Sequence, residues 1–387
     1  MCFLSILIPL ISFCGNHAAT CFATDNTEAT GAVPGKAGGL ASARALHKIG
    51  ARYEDLGNFD EARNSYRQEL AMLARLGEPG VIARGEAYIS LGGVLQLQGK
   101  LPDAERCYQT AIQEIQPNSG QASVAKAHAL EGLGWLYTNW GKLPEAEEAL
   151  RQAWKIVDRQ LPDASGERIR FLDSLGMLLC LKGRYAEAEH DLRSALQIGE
   201  RAFADDEAKY RTILTHLGQF YSTIGEYKSA EQFLKRSLVV HAQAQGIGAV
   251  SQAVLMSELG AVYVKLHQYG DAEQLFLQAM QVVETSKDAV PMACSLVRSR
   301  FGDYQMALRN WAAAEDQYRR VLQIREDIVG DQSPVADSLL SLSNALQKLG
   351  RKQEARNCRA RANQIIAAQN NPLYTGHTVD IRAFRAP

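Results

Sequence analysis

Along most of the chain, apolar residues return every three or four positions, in blocks several helical turns long, and glycine interrupts the blocks. From Leu91 to Ile115 the sequence reads LGGVLQLQGKLPDAERCYQTAIQEI. Leu91, Val94, Leu95 and Leu97 form one stripe at helical spacing. Gln98-Gly99-Lys100 breaks that stripe, and Ala104, Tyr108, Ala111, Ile112 and Ile115 form a second. Gly99 is free to take the left-handed conformation that closes a helix. Pro102 falls in the first turn of the next helix, where its missing N–H costs nothing. Gly141, Lys142, Leu143 and Pro144 repeat the device. The pattern predicts helix, tight turn, helix, and no stretch reads as a strand. The fold class is all-α.

This unit recurs. A small residue is followed twelve positions later by alanine at Gly50/Ala62, Gly92/Ala104, Gly134/Ala146, Gly176/Ala188, Gly218/Ala230, Gly260/Ala272, Gly302/Ala314 and Ser343/Ala355. The step is 42 residues six times and 41 at the last junction. A fixed period of this size means a stack of two-helix units, each contacting mainly its neighbours. The small residues are expected where the two antiparallel helices of a unit approach closest. Breaker clusters such as Pro117-Asn118-Ser119-Gly120 and Gly246-Ile247-Gly248 separate the units. In the eighth unit the core places held by Tyr318 and Leu322 in the seventh become Arg359 and Asn363, and Lys352 opens the second helix. A polar outer face of this kind caps a stack.

The boundaries follow: repeats over residues 41–368, a flexible Gly/Ala/Thr/Pro linker over 24–40, and an irregular tail from 369. The tail keeps one hydrophobic remnant, Val379, Ile381 and Phe384 among Asp380, Arg382 and Arg385. Its leading reading is a disordered tail; the alternative folds it back into the repeats as an internal pseudo-ligand. Residues 1–23 resemble a secretory signal, with an apolar run from Phe3 to Phe13 and a cleavage option after Ala23, although no Lys or Arg precedes the run. That run is too short to span a bilayer as a helix. The expected location is outside the cytoplasm; the alternative is cytoplasmic.

Charge narrows the function classes. With 42 basic and 43 acidic residues the formal charge is −1, without the basic excess of a nucleic-acid-binding domain. Seven cysteines are scattered in a way that gives neither a disulfide framework nor a zinc site. No HExxH, GxSxG or CxxC occurs. Gly246-Ile247-Gly248 has no strand before it, and Gly99-Lys100 lacks the rest of a phosphate loop. No catalytic residue, cofactor or metal is expected.

The motifs that remain resemble the tetratricopeptide repeat. Leu217-Gly218 to Tyr221 and Leu259-Gly260 to Tyr263 read Leu-Gly-x-x-Tyr; Gly183-Arg184-Tyr185 to Glu189 and Gly225-Glu226-Tyr227 to Glu231 read Gly-x-Tyr-x-x-Ala-Glu. The 42-residue period, and the junction from Val329 to Ala336, resemble the subclass found in kinesin light chains. The resemblance implies a right-handed superhelical solenoid of eight repeats whose first helices line a concave groove. It places His128, Glu131, Trp135 and Thr138, then Arg170, Asp173, Met177 and Cys180, on that groove. Thr212, Thr215, Gln219 and Ser222 follow, then Leu296, Ser299, Asp303 and Met306. The chaperone-type carboxylate clamp is missing: its lysine and asparagine places hold His47 and Ala51, or Ile89 and Gly93 one repeat later. The paired asparagines of kinesin light chains are replaced by Leu340-Ser341 and Ser257-Glu258.

The resulting reading is a non-enzymatic protein-interaction scaffold, with no nucleic-acid partner. A peptide or partner protein is expected to be held by apolar anchors, Trp135 first, and a few charges. One alternative is a cytoplasmic sensor receiving a peptide signal. Another is an enzyme or small-ligand protein built around Arg170 and Asp173, which stand one turn apart and otherwise read as a surface ion pair.

Overall fold

The left-handed turn read at Gly99 closes hairpin after hairpin. Positive φ occurs at Gly57, Gly99, Gly141, Gly183 and Gly225, then at His267 and Arg309, then at Gly350. These positions keep the same phase of the repeat. At each turn a backbone N–H reaches five residues back, as from Lys100 to the Leu95 carbonyl (2.8 Å) and from Gln268 to Tyr263 (2.9 Å). That bond ends the first helix and reverses the chain. His267 and Arg309 hold the turn without glycine, at φ 61° and 62°.

The computed structural model describes residues 34–77, 80–115, 120–163, 165–203, 206, 210–243, 249–286, 291–329 and 333–368. The signal read at residues 1–23 and the tail from 369 lie outside them. Sixteen helices form among the described residues, in eight hairpins, and no strand. The first helices are α1 (Pro34–Asp55), α3 (Val81–Leu97), α5 (Gly120–Asn139), α7 (Gly166–Leu181), α9 (Arg211–Thr223), α11 (Ala249–Lys265), α13 (Pro291–Ala307) and α15 (Ser333–Lys348). The second helices are α2 (Phe59–Leu73), α4 (Leu101–Glu114), α6 (Leu143–Gln160), α8 (Tyr185–Ala202), α10 (Tyr227–Gln243), α12 (Tyr269–Thr285), α14 (Trp311–Val329) and α16 (Lys352–Ala368). The described residues fall into two compact units, divided within α7 after Leu178.

The linker expected over 24–40 ends earlier than its composition suggested: Pro34 to Leu40 are helical, as the first turns of α1. Tertiary packing overrides the weak local pattern there. Leu40 packs in the cluster of Ala43, Leu73 and Ala87. A Cβ on Gly39 would stand 2.9 Å from Leu76 Cδ2.

Within each unit the core is built on the small residue of the period. A Cβ added at Gly50 would lie 2.7 Å from Tyr66, at Gly134 2.7 Å from Leu150, at Gly218 2.5 Å from Leu234 and at Gly302 2.7 Å from Tyr318. At Gly92 and Gly260 the walls are Tyr108 at 3.0 Å and Phe276 at 3.1 Å. The wall is always the residue four after the period's alanine, one turn along the second helix. In the last hairpin Ser343 replaces glycine and donates its hydroxyl to the Ala355 carbonyl (2.8 Å). α16 buries only Ala355, Ala362 and Ile365, and leaves Lys352, Arg359 and Asn363 exposed, as a cap requires.

In the N-terminal unit α3 packs against α5 as well as against α2 and α4, and in the C-terminal unit α11 packs against α13 as well as α10 and α12. First helices therefore stack on first helices. Second helices meet through ion pairs at the surface, including Arg236 with Glu200 (2.6 Å) and Arg319 with Glu354 (3.4 Å).

Candidate functional site

A first helix packs on its own partner and on the helices beside it, as α3 and α11 do, and little of it reaches water. From Arg168 to Cys180 only Arg170 is not buried. The polar residues on this layer must find partners inside the protein.

In the N-terminal unit α5 and α7 share one network. Glu131 is fully buried. Arg170 grips it with two nitrogens, Nε to Oε1 at 3.3 Å and Nη2 to Oε2. Ser174 Oγ donates to the same Glu131 Oε1 (2.6 Å) and accepts from Trp135 Nε1 (3.3 Å). His128 Nε2 lies 2.9 Å from Glu167 Oε2, and Arg170 Nη1 is 3.8 Å from that oxygen. Burial alone would raise the Glu167 carboxyl, but the His128 hydrogen bond and the Arg170 charge hold it down at about 2. In the first hairpin His47 Nδ1 meets the buried Glu69 Oε2 at 2.9 Å. Burial opposes the His47 charge, yet the Glu69 bond and the Glu69, Glu86 and Glu54 carboxylates raise its pKa.

The expectation of open apolar anchors changes here. Trp135 is 6% exposed and Met177 1%. Trp135 is buried where α5 lies on α7, with its ring nitrogen on Ser174. Asp173 is likewise buried. Arg170 reaches Glu131, 39 residues earlier, across the helix boundary, and Glu167 one turn back on its own helix.

The C-terminal unit places the other predicted residues differently. Gln219 Nε2 donates to Glu258 Oε1 (2.7 Å), again 39 residues on. Arg300 donates to that oxygen (2.7 Å) and to Ser257 Oγ (3.1 Å). Gln219, Glu258 and Arg300 are all buried, but Gln219 Oε1 and Glu258 Oε2 receive no hydrogen bond. Thr215 Oγ1 shares a bond with Ser237 Oγ (2.7 Å), and Ser299 is half-buried. Asp303 is exposed and accepts from Tyr318 OH (2.6 Å). Beside it the buried Arg325 donates to Ser295 Oγ, Ser338 Oγ and the Pro334 carbonyl at 3.0–3.1 Å. Asp337 Oδ2 receives no donor, and burial pushes that carboxyl up to about 7 against the pull of Arg325.

Sequence reasoning missed Glu167, Ser174, Glu258 and Arg300. It followed spacing within one helix, whereas the partners stand 39 to 43 residues apart. That offset was the available signal.

Two signature residues also find each other across repeats. Tyr137 OH donates to Glu105 (2.6 Å) and Tyr221 OH to Glu189 (2.5 Å), each 32 residues earlier. The tyrosine of Leu-Gly-x-x-Tyr thus bonds the glutamate of the preceding Ala-Glu. Comparison with family models agrees over most of the repeats. Residues 38–203 match a MalT-like TPR region, and residues 168–240, 253–285 and 302–334 match tetratricopeptide-repeat models. The chain is a tetratricopeptide-repeat protein. A search of curated proteins finds no match. Among solved structures, a Rap protein complexed with Competence and Sporulation Factor is 14% identical, with a TM-score of 0.58 over 87% of this chain and 99% of that one. The apo form of RapI is 14% identical, with a TM-score of 0.52 over 74% and 98%. A tetratricopeptide repeat protein from Parabacteroides merdae gives 14% and 0.47 over 84% and 99%. These similarities concern the fold.

The tetratricopeptide-repeat fold makes the chain a protein-interaction scaffold in general. Among its described residues no helix is long and apolar enough to cross a membrane. Its described thiols are shielded, with burial pushing Cys180 up to about 12 and Cys107 to about 11.

Proposed function

We propose that the first-helix face of the C-terminal unit binds a peptide segment of a partner protein, through Thr215, Gln219, Ser299 and Asp303. The observation that carries this reading is the surplus of acceptors there. Gln219 Oε1, Glu258 Oε2 and Asp337 Oδ2 are shut off from water without a donor. A buried acceptor left unmet costs about 1–3 kcal/mol, and that cost is recovered when a donor arrives. A peptide brings donors in series, as backbone N–H groups and basic side chains. In the N-terminal unit Glu131, Arg170, His128 and Trp135 already engage one another or their neighbours. We assign them to shaping the stack, and Asp173 and Met177 with them.

The reading assigns no chemistry to the protein and needs no cofactor. The Rap structure with Competence and Sporulation Factor favours the second reading, a module that receives a signal. That second reading is cytoplasmic, whereas export through residues 1–23 is proposed with the first, and N-terminal sequencing that finds a chain beginning near Thr24 excludes the second.

The test compares capture of partners from native extract by the wild-type chain, by Gln219→Leu with Asp303→Ala, and by Arg193→Ala with Lys228→Ala, which alters exposed second-helix positions. Loss of partners with the first pair only supports the reading. Equal capture by all three overturns it.

A further inference from the structure

We propose that the chain supplies an occupant of its own: the tail segment from Val379 to Arg385 docks on the first-helix face of the last two hairpins, setting its apolar side chains on α13 and α15 and an arginine against Asp303 and Asp337. This rests on the reading of that face as a peptide seat.

Three observations carry it. The first is where the tail begins. α16 runs to Ala368, and its last turns pack through Ala362 and Ile365 against Val335, Ala336 and Leu339. α16 therefore ends alongside the start of α15, the helix that carries Asp337. From there the sixteen residues to Phe384 span up to about 50 Å when extended, ample to reach α13.

The second is charge. Asp303 is exposed, and Asp337 holds one oxygen without a donor. The cations that face them are largely engaged. Arg300 serves Glu258 and Ser257, and Arg325, which acts on both carboxylates, donates to Ser295, Ser338 and Pro334. Lys265 also acts on Asp303. The tail offers Arg382 and Arg385 against Asp380 alone. A guanidinium supplies the fork of donors that a carboxylate accepts best.

The third is the apolar match. Leu296 on α13, Met306 at its end and Leu340 on α15 lie half-buried, the last two resting on the buried clusters beneath them. Val379, Ile381 and Phe384 are the apolar residues of the segment that carries the two arginines. Anchors flanked by charges are how such faces hold peptides. A tethered segment also binds at high effective concentration.

The experiment uses the full chain with Phe384→p-benzoylphenylalanine, irradiated at low protein concentration and mapped by mass spectrometry. The expected result is intramolecular cross-links to α13 or α15. Their yield should fall at least tenfold with Arg382→Glu and Arg385→Glu, which leave the stack untouched, and with Asp303→Asn and Asp337→Asn at unchanged helix content. Overturning results are cross-links elsewhere, a yield no higher than from Thr375→p-benzoylphenylalanine, no response to the arginine reversals, or cross-linked dimers growing with concentration. Partner capture by the face variants is read separately, so a tail that fails to cross-link leaves the peptide-seat reading to stand or fall by itself.

Discussion

Gly218→Ala and Gly260→Ala make the same change at the same phase of two neighbouring hairpins. They differ only in the wall they meet. At Gly218 the new methyl would lie 2.5 Å from Leu234 Cγ and 2.6 Å from Cδ2. That is about 1 Å inside ordinary carbon contact. Cγ is a branch point held by its own helix, so Leu234 cannot swing aside without moving α10. At Gly260 the ring atoms of Phe276 stand at 3.1–3.3 Å, and a tilt of a few tenths of an ångström relieves the contact. Both substitutions gain about 1 kcal/mol from alanine's helix preference over glycine. Overpacking of a filled site costs about 1–3 kcal/mol. The balance leaves Gly260→Ala within about 0.5 kcal/mol of wild type and Gly218→Ala about 1–2 kcal/mol less stable. Urea unfolding followed by far-UV circular dichroism reads the sum. Hydrogen exchange resolved to α9–α10 and α11–α12 reads each hairpin, which matters because a repeat stack need not unfold in one step. Equal destabilisation of the two variants, or a larger loss at Gly260, would refute the close-approach account of the period.

Three further outcomes are expected. Arg309 holds a left-handed turn at φ 62° that glycine holds at the same phase elsewhere, so Arg309→Gly should raise stability by about 0.5–1 kcal/mol, and a lower urea midpoint would contradict this. Glu131→Ala strands Arg170 and Ser174 and should cost about 3 kcal/mol, while adding Arg170→Ala should cost less than the separate losses summed; strict additivity in the double-mutant cycle would show that the pair does not interact. The Glu167 carboxyl sits at about 2 when folded, below its ordinary value of 4.5. Its contribution is complete above the unfolded value and disappears as pH falls through about 4.5 toward 2. Relative to Glu167→Gln, wild type should lose up to about 3 kcal/mol over that window, and parallel stability curves for the two proteins would count against the His128–Glu167–Arg170 cluster.

The period was legible in the sequence because it records a steric limit that local spacing exposes: Gly218 and Ala230 are small for one reason, and the glycines of five other hairpins repeat it. The turns were legible at Gly99 and Gly141, but His267 and Arg309 carry no such mark, and only the common phase betrays them. The start of α1 was misplaced because Pro34 to Gly39 have no apolar stripe. Gly39 and Leu40 approach Leu76 and Leu73 there, which composition does not show. The site was half legible. Gln219 and Asp303 do lie on the first-helix layer, and so do His128, Glu131 and Arg170. What single-helix spacing could not show is whether such a residue is open to a ligand or answered by the next repeat. Trp135 illustrates the gap: as a large aromatic in a helix stripe it reads equally as an anchor or as core, and Ser174 decides between them.

The buried polar rungs have a use that follows from the repeats being alike. A stack of near-identical apolar hairpins has little in its glycine seats to stop one unit from docking on the wrong neighbour, since those seats recur at one phase within the hairpins. Glu131 with Arg170 and Ser174 in one unit, and Gln219 with Glu258 and Arg300 in the other, are not interchangeable. If α5 met a first helix lacking an arginine at the matching offset, Glu131 would be left as an uncompensated buried charge, costing about 3–5 kcal/mol. Correct order is thereby favoured over each slipped arrangement by more than one apolar contact could provide. The same logic explains why the unmet acceptors matter. On a layer where polar groups answer one another across repeats, Arg168 Nε is an unmet donor in the N-terminal unit, whereas the unmet acceptors Gln219 Oε1, Glu258 Oε2 and Asp337 Oδ2 fall in the C-terminal unit, on the face the proposed peptide would occupy.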